Sequence, residues 1–279
     1  MSRSRRRVEQ GNRASQRELE LIEVIIDQGW NRVSGTTGYL SEREARFLMA
    51  AAALAPQRGR NLEIGSFKGR STVGIAYVTR ELGLGTVVAV DPHTSPSSTD
   101  PDLKGKSTSY DDFVANLKTA GVFDWVEIKR LYSHDLARTW KDPIRFLWID
   151  GDHTYEGAKA DLDMFKPYLV DGAMVAIHDV LGTFEGALRV FVEEVLDCND
   201  FGPAGFSGSI GWAQYRPRDG RRFRFGRKRL ALPARKLIPV ARRAGDGLHG
   251  WNKFLYKVWR PLAPHGEVTV QQLSRVISR

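Results

Sequence analysis

The chain has 279 residues, enough to bury one sizeable core with an appendage, and its one cysteine, Cys198, excludes an internal disulfide and a cysteine-based zinc cluster. No run approaches the ~18 consecutive apolar residues of a membrane-spanning helix, and the opening MSRSRRRVEQ lacks the apolar core of a secretory signal, so a cytoplasmic protein is expected. The net charge of +9 is segregated: six Arg against Glu9 in residues 1–17, fifteen Lys and Arg against Asp219 and Asp246 in 216–260, two Arg against Glu267 in 261–279, and hence −10 in residues 18–215. Basic ends on an acidic body mark interaction arms rather than a property of the fold.

Residues 1–17 read as a disordered basic arm. From Glu18, Leu19, Leu21, Ile22, Ile25 and Ile26 follow helical spacing, and Gly35 to Gly38 form a loop. Ser41 with Glu44 is a capping box for a second helix running to Ala55, because each side chain satisfies the other's free amide. This helical segment, 18–58, either caps the ligand edge of the sheet that follows or packs on its flank.

Over residues 59–216 strands and helices alternate. Asn61–Gly65 is a strand, Ser71–Leu82 a helix ended by Gly83, and Thr86–Val90 a strand closing on Asp91. A polar loop, Pro92–Thr108, leads to a helix over Tyr110–Thr119, a strand over Trp125–Lys129 and a short helix over Asp135–Trp140. Phe146–Ile149 and Ala173–Ile177 are apolar on both faces, as buried parallel strands are. Between them Ala158, Leu162, Phe165 and Leu169 recur at helical spacing over Glu156–Leu169, with Gly172 set to turn the chain. A helix over Phe184–Leu196 and a last strand over Ser209–Tyr215 complete the pattern. Such alternation predicts an α/β fold with a doubly wound, mostly parallel sheet. Parallel strands bring their carboxyl ends to one edge, where open α/β sheets bind ligands. Asp150, Asp152 and His153 after one strand, and His178 and Asp179 after the next, therefore share a crevice.

The turn Glu63-Ile-Gly65-Ser-Phe67-Lys-Gly69-Arg-Ser71 joins a strand to a helix. Its glycines let the backbone approach a ligand and the helix start offers free amides, while Asp91 is placed to take two ribose hydroxyls. The turn fits neither GxGxxG nor a Walker loop, so nucleoside binding and a merely structural turn both stand.

LEIGSFKGRST (62–72), VVAVDP (87–92), LYSHD (131–135) and WIDGDH…IHDV (148–180), in that order, resemble the class I S-adenosylmethionine-dependent methyltransferases. The likeness, over about residues 35–215, is to the macrolide-sugar O-methyltransferases and more distantly catechol O-methyltransferase. It implies a seven-stranded Rossmann-like sheet with an antiparallel last strand, which Ser209–Tyr215 suits. It also implies S-adenosyl-L-methionine as cofactor, with Glu63, Gly65, Phe67 and Ser71 at the methionine end, Asp91 on the ribose and Ser133 near the adenine.

Methyl transfer to a hydroxyl needs the acceptor proton removed. A hard divalent cation, Mg or Mn, lowers the hydroxyl's pKa, and a base within hydrogen-bond reach takes the proton. Asp150 and Asp179 are the expected metal ligands, and the resemblance implies His153 as the catalytic base. The sequence departs from the family at His178, where relatives carry an oxygen ligand; it is expected as a third ligand, with a second base or a support for Asp179 as alternatives. Asp152 reads as a solvated turn residue, Asp161 and Asp163 as an exposed helix face. The acceptor implied is a sugar hydroxyl, on a lipid-linked or polymeric glycan. Two rivals stand: an iron-dependent hydroxylase using His153, His178 and one of the aspartates, and a non-catalytic methyltransferase-like membrane tether.

Residues 217–279 read as a basic amphipathic extension. Between Leu248 and Leu262, Trp251, Phe254, Leu255 and Val258 align on one helix face, with Lys253, Lys257 and Arg260 elsewhere. Aromatics with cations are the pattern of a helix at an anionic membrane surface, here the inner face of the membrane. The alternatives are a helix packed on the sheet or on a second subunit of a homo-oligomer. Nucleic acid is disfavoured, because the acidic body repels a polyanion.

Overall fold

The computed structural model describes residues 15–94, 108–244 and 247–279; residues 1–14 of the basic arm, most of the polar loop 92–108 and Asp246 lie outside the described residues. One seven-stranded sheet organises the chain, in the order β3-β2-β1-β4-β5-β7-β6. β1 (Arg60–Ile64), β2 (Val87–Val90), β3 (Val126–Lys129), β4 (Ile144–Ile149) and β5 (Leu169–Ile177) pair in parallel. β7 (Ile210–Tyr215) is antiparallel to β5 and to β6 (Phe201–Ser207). The doubly wound α/β architecture is the one the alternation predicts, and the antiparallel strand lies where the resemblance puts it.

Two elements differ from the sequence reading. β6, Phe-Gly-Pro-Ala-Gly-Phe-Ser, shows no apolar alternation, and its proline fits because β6 is an edge strand. Gly172 does not end a helix. The helix stops at Phe165, and Gly172, at φ +88°, sits inside β5 where the pairing with β4 changes register and where a side chain would press on Pro56.

Alternating strand residues feed two cores. Phe146 and Trp148 of β4 face α1 (Gln16–Val33), α2 (Glu42–Leu54), α3 (Arg70–Glu81) and α4 (Tyr110–Ala120). Leu147 and Ile149 face α5 (Ser133–Ala137), α6 (Tyr155–Phe165) and α7 (Glu185–Val190). α1 and α2 each begin with a complete capping box, Ser15 with Glu18 and Ser41 with Glu44. Both pack on the sheet's flank, and their connecting loop and the first turn of α2 reach the carboxyl edge. There Arg70 donates to the carbonyls of Thr36 and Leu40, and Tyr39 stacks on Phe67 at 6.3 Å.

The basic extension is partly structural. α8 (Arg224–Arg242), a helix the composition masks behind two prolines and a run of arginines, buries Ala231, Ala234, Leu237 and Ala241 in the second core. Arg227 is 1% exposed and donates to the carbonyls of Leu196, Cys198, Phe201, Gly202 and Gly220. After α9 (Gly250–Trp259), α10 (Val270–Ile277) returns to the N-terminal helices and adds Val270 and Leu273 to the first core. No described helix is long and apolar enough to cross a membrane. Arg227→Ala leaves several buried carbonyls without a donor and is expected to lower unfolding stability by about 3 kcal/mol or more. Urea denaturation measures this, and a loss under about 1 kcal/mol would show that the carbonyls find other partners.

Candidate active site

The site is built on one row of the sheet. Each strand ends level with its neighbour, and the next residue's amide continues the ladder: Asp91 N to Lys129 O at 3.1 Å, Gly65 N to Val90 O at 2.9 Å, Asp150 N to Ile64 O at 2.8 Å and His178 N to Ile149 O at 3.0 Å. Asp91, Gly65, Asp150 and His178 thereby stand side by side at the carboxyl edge.

At the β1 turn the glycines serve packing. A side chain on Gly65, at φ +84°, would lie 2.1 Å from the Asp150 carbonyl oxygen, and one on Gly69, at φ +87°, would meet the Phe113 ring at 2.9 Å. The expected close approach of backbone to ligand is thus an approach of backbone to protein. Ligand-binding capacity lies in what surrounds these glycines. α3 has no side-chain cap at its start, because its N-cap is Gly69, and the Ser66 hydroxyl is buried without a partner. Asp91 accepts from the amides of Ser66 (3.0 Å) and Phe67 (2.8 Å) at Oδ2 and of His93 (2.7 Å) at Oδ1, and Oδ1 retains a lone pair.

Glu63 is fully buried and takes the hydroxyls of Ser71 and Thr72, the latter at 2.5 Å. Burial pushes its carboxyl up to about 8 against those hydroxyls, with Asp150 and Asp91 adding to the rise. Ser133, at the start of α5, donates to Asp161 at 2.5 Å and keeps its lone pairs as an acceptor. Asp161 corrects the sequence reading: it is 5% exposed rather than on an open helix face, and burial lifts its carboxyl to about 6 despite Ser133. Leu162 and Ala158, buried beside it, turn this side of α6 inward. Asp163 pairs with Lys159 at the surface, and Asp152 is an exposed turn residue holding the Thr154 amide.

Asp150, His153 and Asp179 bring one ligand atom each within 4.8 Å of one another, a separation that a single cation can span. Nε2 of His153 is 3.6 Å from Asp150 Oδ1 and 3.4 Å from Asp179 Oδ2, too far for hydrogen bonds, and is buried without a partner. Its ring packs on Phe184 at 4.3 Å. Asp179 holds a left-handed backbone, φ +55°, which Asp tolerates better than most residues and which turns its carboxylate back toward Asp150.

His178 stands outside that trio. Its Nδ1 is 3.0 Å from Asp150 Oδ1, and its ring is buried against Trp148. Burial opposes its charge, yet Asp150, and after it Asp179 and Glu44, push it up to about 10. In the trio the third position is taken by His153, while His178 meets Asp150 through Nδ1 and leaves its buried Nε2 without a partner. Burial raises Asp150 and Asp179 alike; the two imidazoles reverse this at Asp150 and fall short of it at Asp179. Burial would lower His153, but Asp150 and Asp179 raise it. Glu44, read in sequence only as a cap, also accepts from the amide and hydroxyl of Ser209 at 2.7 Å, tying α2 to the β6–β7 turn and adding negative charge near His178. Its distance in sequence from Ser209 left no signal for this.

Residues 62–180 match the family model described as a methyltransferase domain. The fold is shared with the O-methyltransferase NovP (14% identity, TM-score 0.53, covering 71% of this chain and 98% of that one). It is also that of the O-methyltransferase TomG from Streptomyces achromogenes in complex with S-adenosylmethionine (17%, 0.50, 77% and 100%). A third such structure is the S-adenosylhomocysteine-bound methyltransferase PaMTH1 from Podospora anserina (15%, 0.51, 70% and 88%). The matched stretch runs from β1 to just past Asp179, so it contains the whole row and the acid–imidazole cluster.

The folded state binds the His178 proton more tightly than an unfolded chain does. The pair therefore stabilises at neutral pH, and the contribution fades as pH rises through about 10. Histidine-resolved NMR titration should find His178 still protonated at pH 8 and Asp150→Asn moving it down toward ~6.5. An ordinary titration in the unaltered protein would break the proposed pairing.

Proposed function

We propose that this protein is an S-adenosylmethionine-dependent O-methyltransferase acting on a sugar hydroxyl, with a divalent cation at Asp150 and Asp179 and His153 as general base. The observation that carries the reading is the His153 Nε2 atom: buried, unpartnered and facing two carboxylates beside the β1 turn. S-adenosylmethionine, when bound, supplies the methyl group, and a divalent cation supplies the positive charge that makes the hydroxyl more acidic. Asp91 takes the ribose hydroxyls, and the uncapped start of α3 and Ser66 meet the methionine carboxylate. Asp150 and Asp179 would hold the cation that offsets the acceptor oxygen's charge, and His153 would remove the hydroxyl proton as the methyl group passes from the sulfonium, its S–C bond breaking to leave the thioether as the O–C bond forms. A sugar suits the rim, where Tyr39 is 67% and Phe184 43% exposed, because flat aromatic faces pair with the apolar face of a sugar ring.

The geometry of the trio favours one variant of this reading, in which His153 is a third ligand rather than the base. The iron-hydroxylase alternative is weaker, since the groups that could share one cation are Asp150, His153 and Asp179, and His178 is not among them.

Calorimetry with S-adenosylhomocysteine should give binding that Asp91→Ala weakens about tenfold or more, from a lost charged acceptor. Unchanged affinity in the folded variant would falsify the cofactor assignment. Asp150→Asn and Asp179→Asn should remove metal-stimulated turnover and leave that affinity nearly intact, whereas full activity in excess EDTA removes the cation. His153→Ala should lower kcat by ~10²–10⁴. Because His153 is raised above its ordinary value, kcat should climb with pH through an inflection above ~6.5. If His153→Ala loses cation affinity as well, the third-ligand variant is correct.

A further inference from the structure

α9 carries two apolar faces, and only one of them is used by the fold. On the inward face, Tyr256 and Trp259 pack against the second core, and Ala263 just beyond the helix is fully buried. The Tyr256 hydroxyl donates to the Leu181 carbonyl at 2.7 Å, and Arg260 Nε donates to the same oxygen at 3.1 Å. On the outward face, Trp251, Phe254, Val258 and Leu262 fall at spacings of 3, 4 and 4 residues and are 68%, 52%, 40% and 58% exposed. Trp251 and Phe254 stack on each other at 4.9 Å rather than on the body of the protein. A helix whose only task is packing needs the inward face alone.

The cations separate into the same two classes. Arg227 is buried on carbonyls, Arg216 is paired with Asp219, and Arg235 and Arg242 reach Asp197 and Glu185. Lys253 and Lys257 flank the outward stripe and are exposed. α8, which packs beside α9, exposes Lys236 and Arg243. Exposed aromatics bordered by cations complement a surface that is apolar below and anionic above.

We propose that the outward face of α9 docks this protein on an anionic phospholipid bilayer. Leu181 lies two residues past Asp179, so the docking helix sits on the loop that borders the acid–imidazole cluster, and Phe184 of that loop covers His153. Docking through α9 brings the rim of the crevice to the interface, where hydroxyls carried by lipid-anchored molecules lie. A polyanionic nucleic acid would account for the cations but leave the aromatic stripe in water. A second subunit would account for the stripe but not for the cations around it. The inference needs neither cofactor nor acceptor and stands or falls apart from the proposed reaction.

Co-sedimentation of the full chain, without cofactor, with phosphatidylglycerol-containing and pure phosphatidylcholine vesicles tests it. Pelleting should require the anionic lipid and fall about tenfold or more between low and high salt. Trp251→Ala with Phe254→Ala, and separately Lys253→Glu with Lys257→Glu, should each weaken it about tenfold or more without changing the melting temperature, because all four side chains are exposed. The proposal is overturned if the chain stays in the supernatant with anionic vesicles at low salt, if neutral vesicles bind it equally, or if both pairs of variants pellet like the unaltered protein. It is equally overturned if the chain is a dimer that the aromatic pair alone dissociates, or if it binds RNA and not vesicles.

Discussion

The amide ladder that runs one residue beyond the strand ends is the constraint on which the rest depends. Parallel register makes Val90, Ile64, Ile149 and Ile177 neighbours, and each following residue hydrogen-bonds back to the strand beside it. Four chain segments distant in sequence are thus held at fixed spacing before any side chain acts. Gly65 is required because the row is tight: with the Asp150 carbonyl 2.1 Å from where its side chain would be, any other residue pushes β1 and β4 apart at the carboxyl edge. Strain elsewhere in the row points the same way. Phe67, His93 and Asp179 all adopt positive φ, and each stands within two residues of a strand end or a row residue.

On this frame the charges are arranged so that no carboxylate of the cluster stands without a partner. Asp150 is 3.0 Å from His178 Nδ1 and Asp179 3.7 Å from the same atom, while His153 Nε2 stands 3.6 and 3.4 Å from the two. The asymmetry explains why burial wins at Asp179 and loses at Asp150. The two rings also differ in setting. His178 is sunk beside Trp148 with Nδ1 on Asp150, His153 is partly open and packed on Phe184, and each leaves a buried Nε2 without a partner.

Much of this was legible in the sequence because the carriers are local. Ser41 with Glu44, the apolar run 146–149 and Asp91 directly after Val-Val-Ala-Val announce their elements through neighbours one to four residues away. β6 was not legible, since Gly202, Pro203 and Gly205 erase the alternation, and it is a strand only because β7 lies against it. The burial of Asp161 depends on Ser133, 28 positions earlier, and the wider role of Glu44 depends on Ser209, 165 positions later. The histidines show the limit most clearly. Both follow apolar strands beside an aspartate, and only the geometry of Asp150 between them separates the supporting ring from the open one.

The basic extension follows the same logic in reverse. Its composition invites a single explanation, yet the cations do three different things. Arg227 bonds carbonyls at the start of β6 and in the segment before it; Arg235 and Arg242 fasten α8 to acids around α7; Lys253 and Lys257 are exposed beside the aromatic stripe. Deleting the whole extension therefore removes structural contacts together with exposed ones, and loss of a property on truncation says little about charge. What distinguishes the classes is burial on the other side of each helix: where the apolar side is already covered, as in α8 at Ala231 and Ala234, the arginines serve the fold, and where a second apolar face stays in water, as in α9, the fold leaves it for something outside the chain.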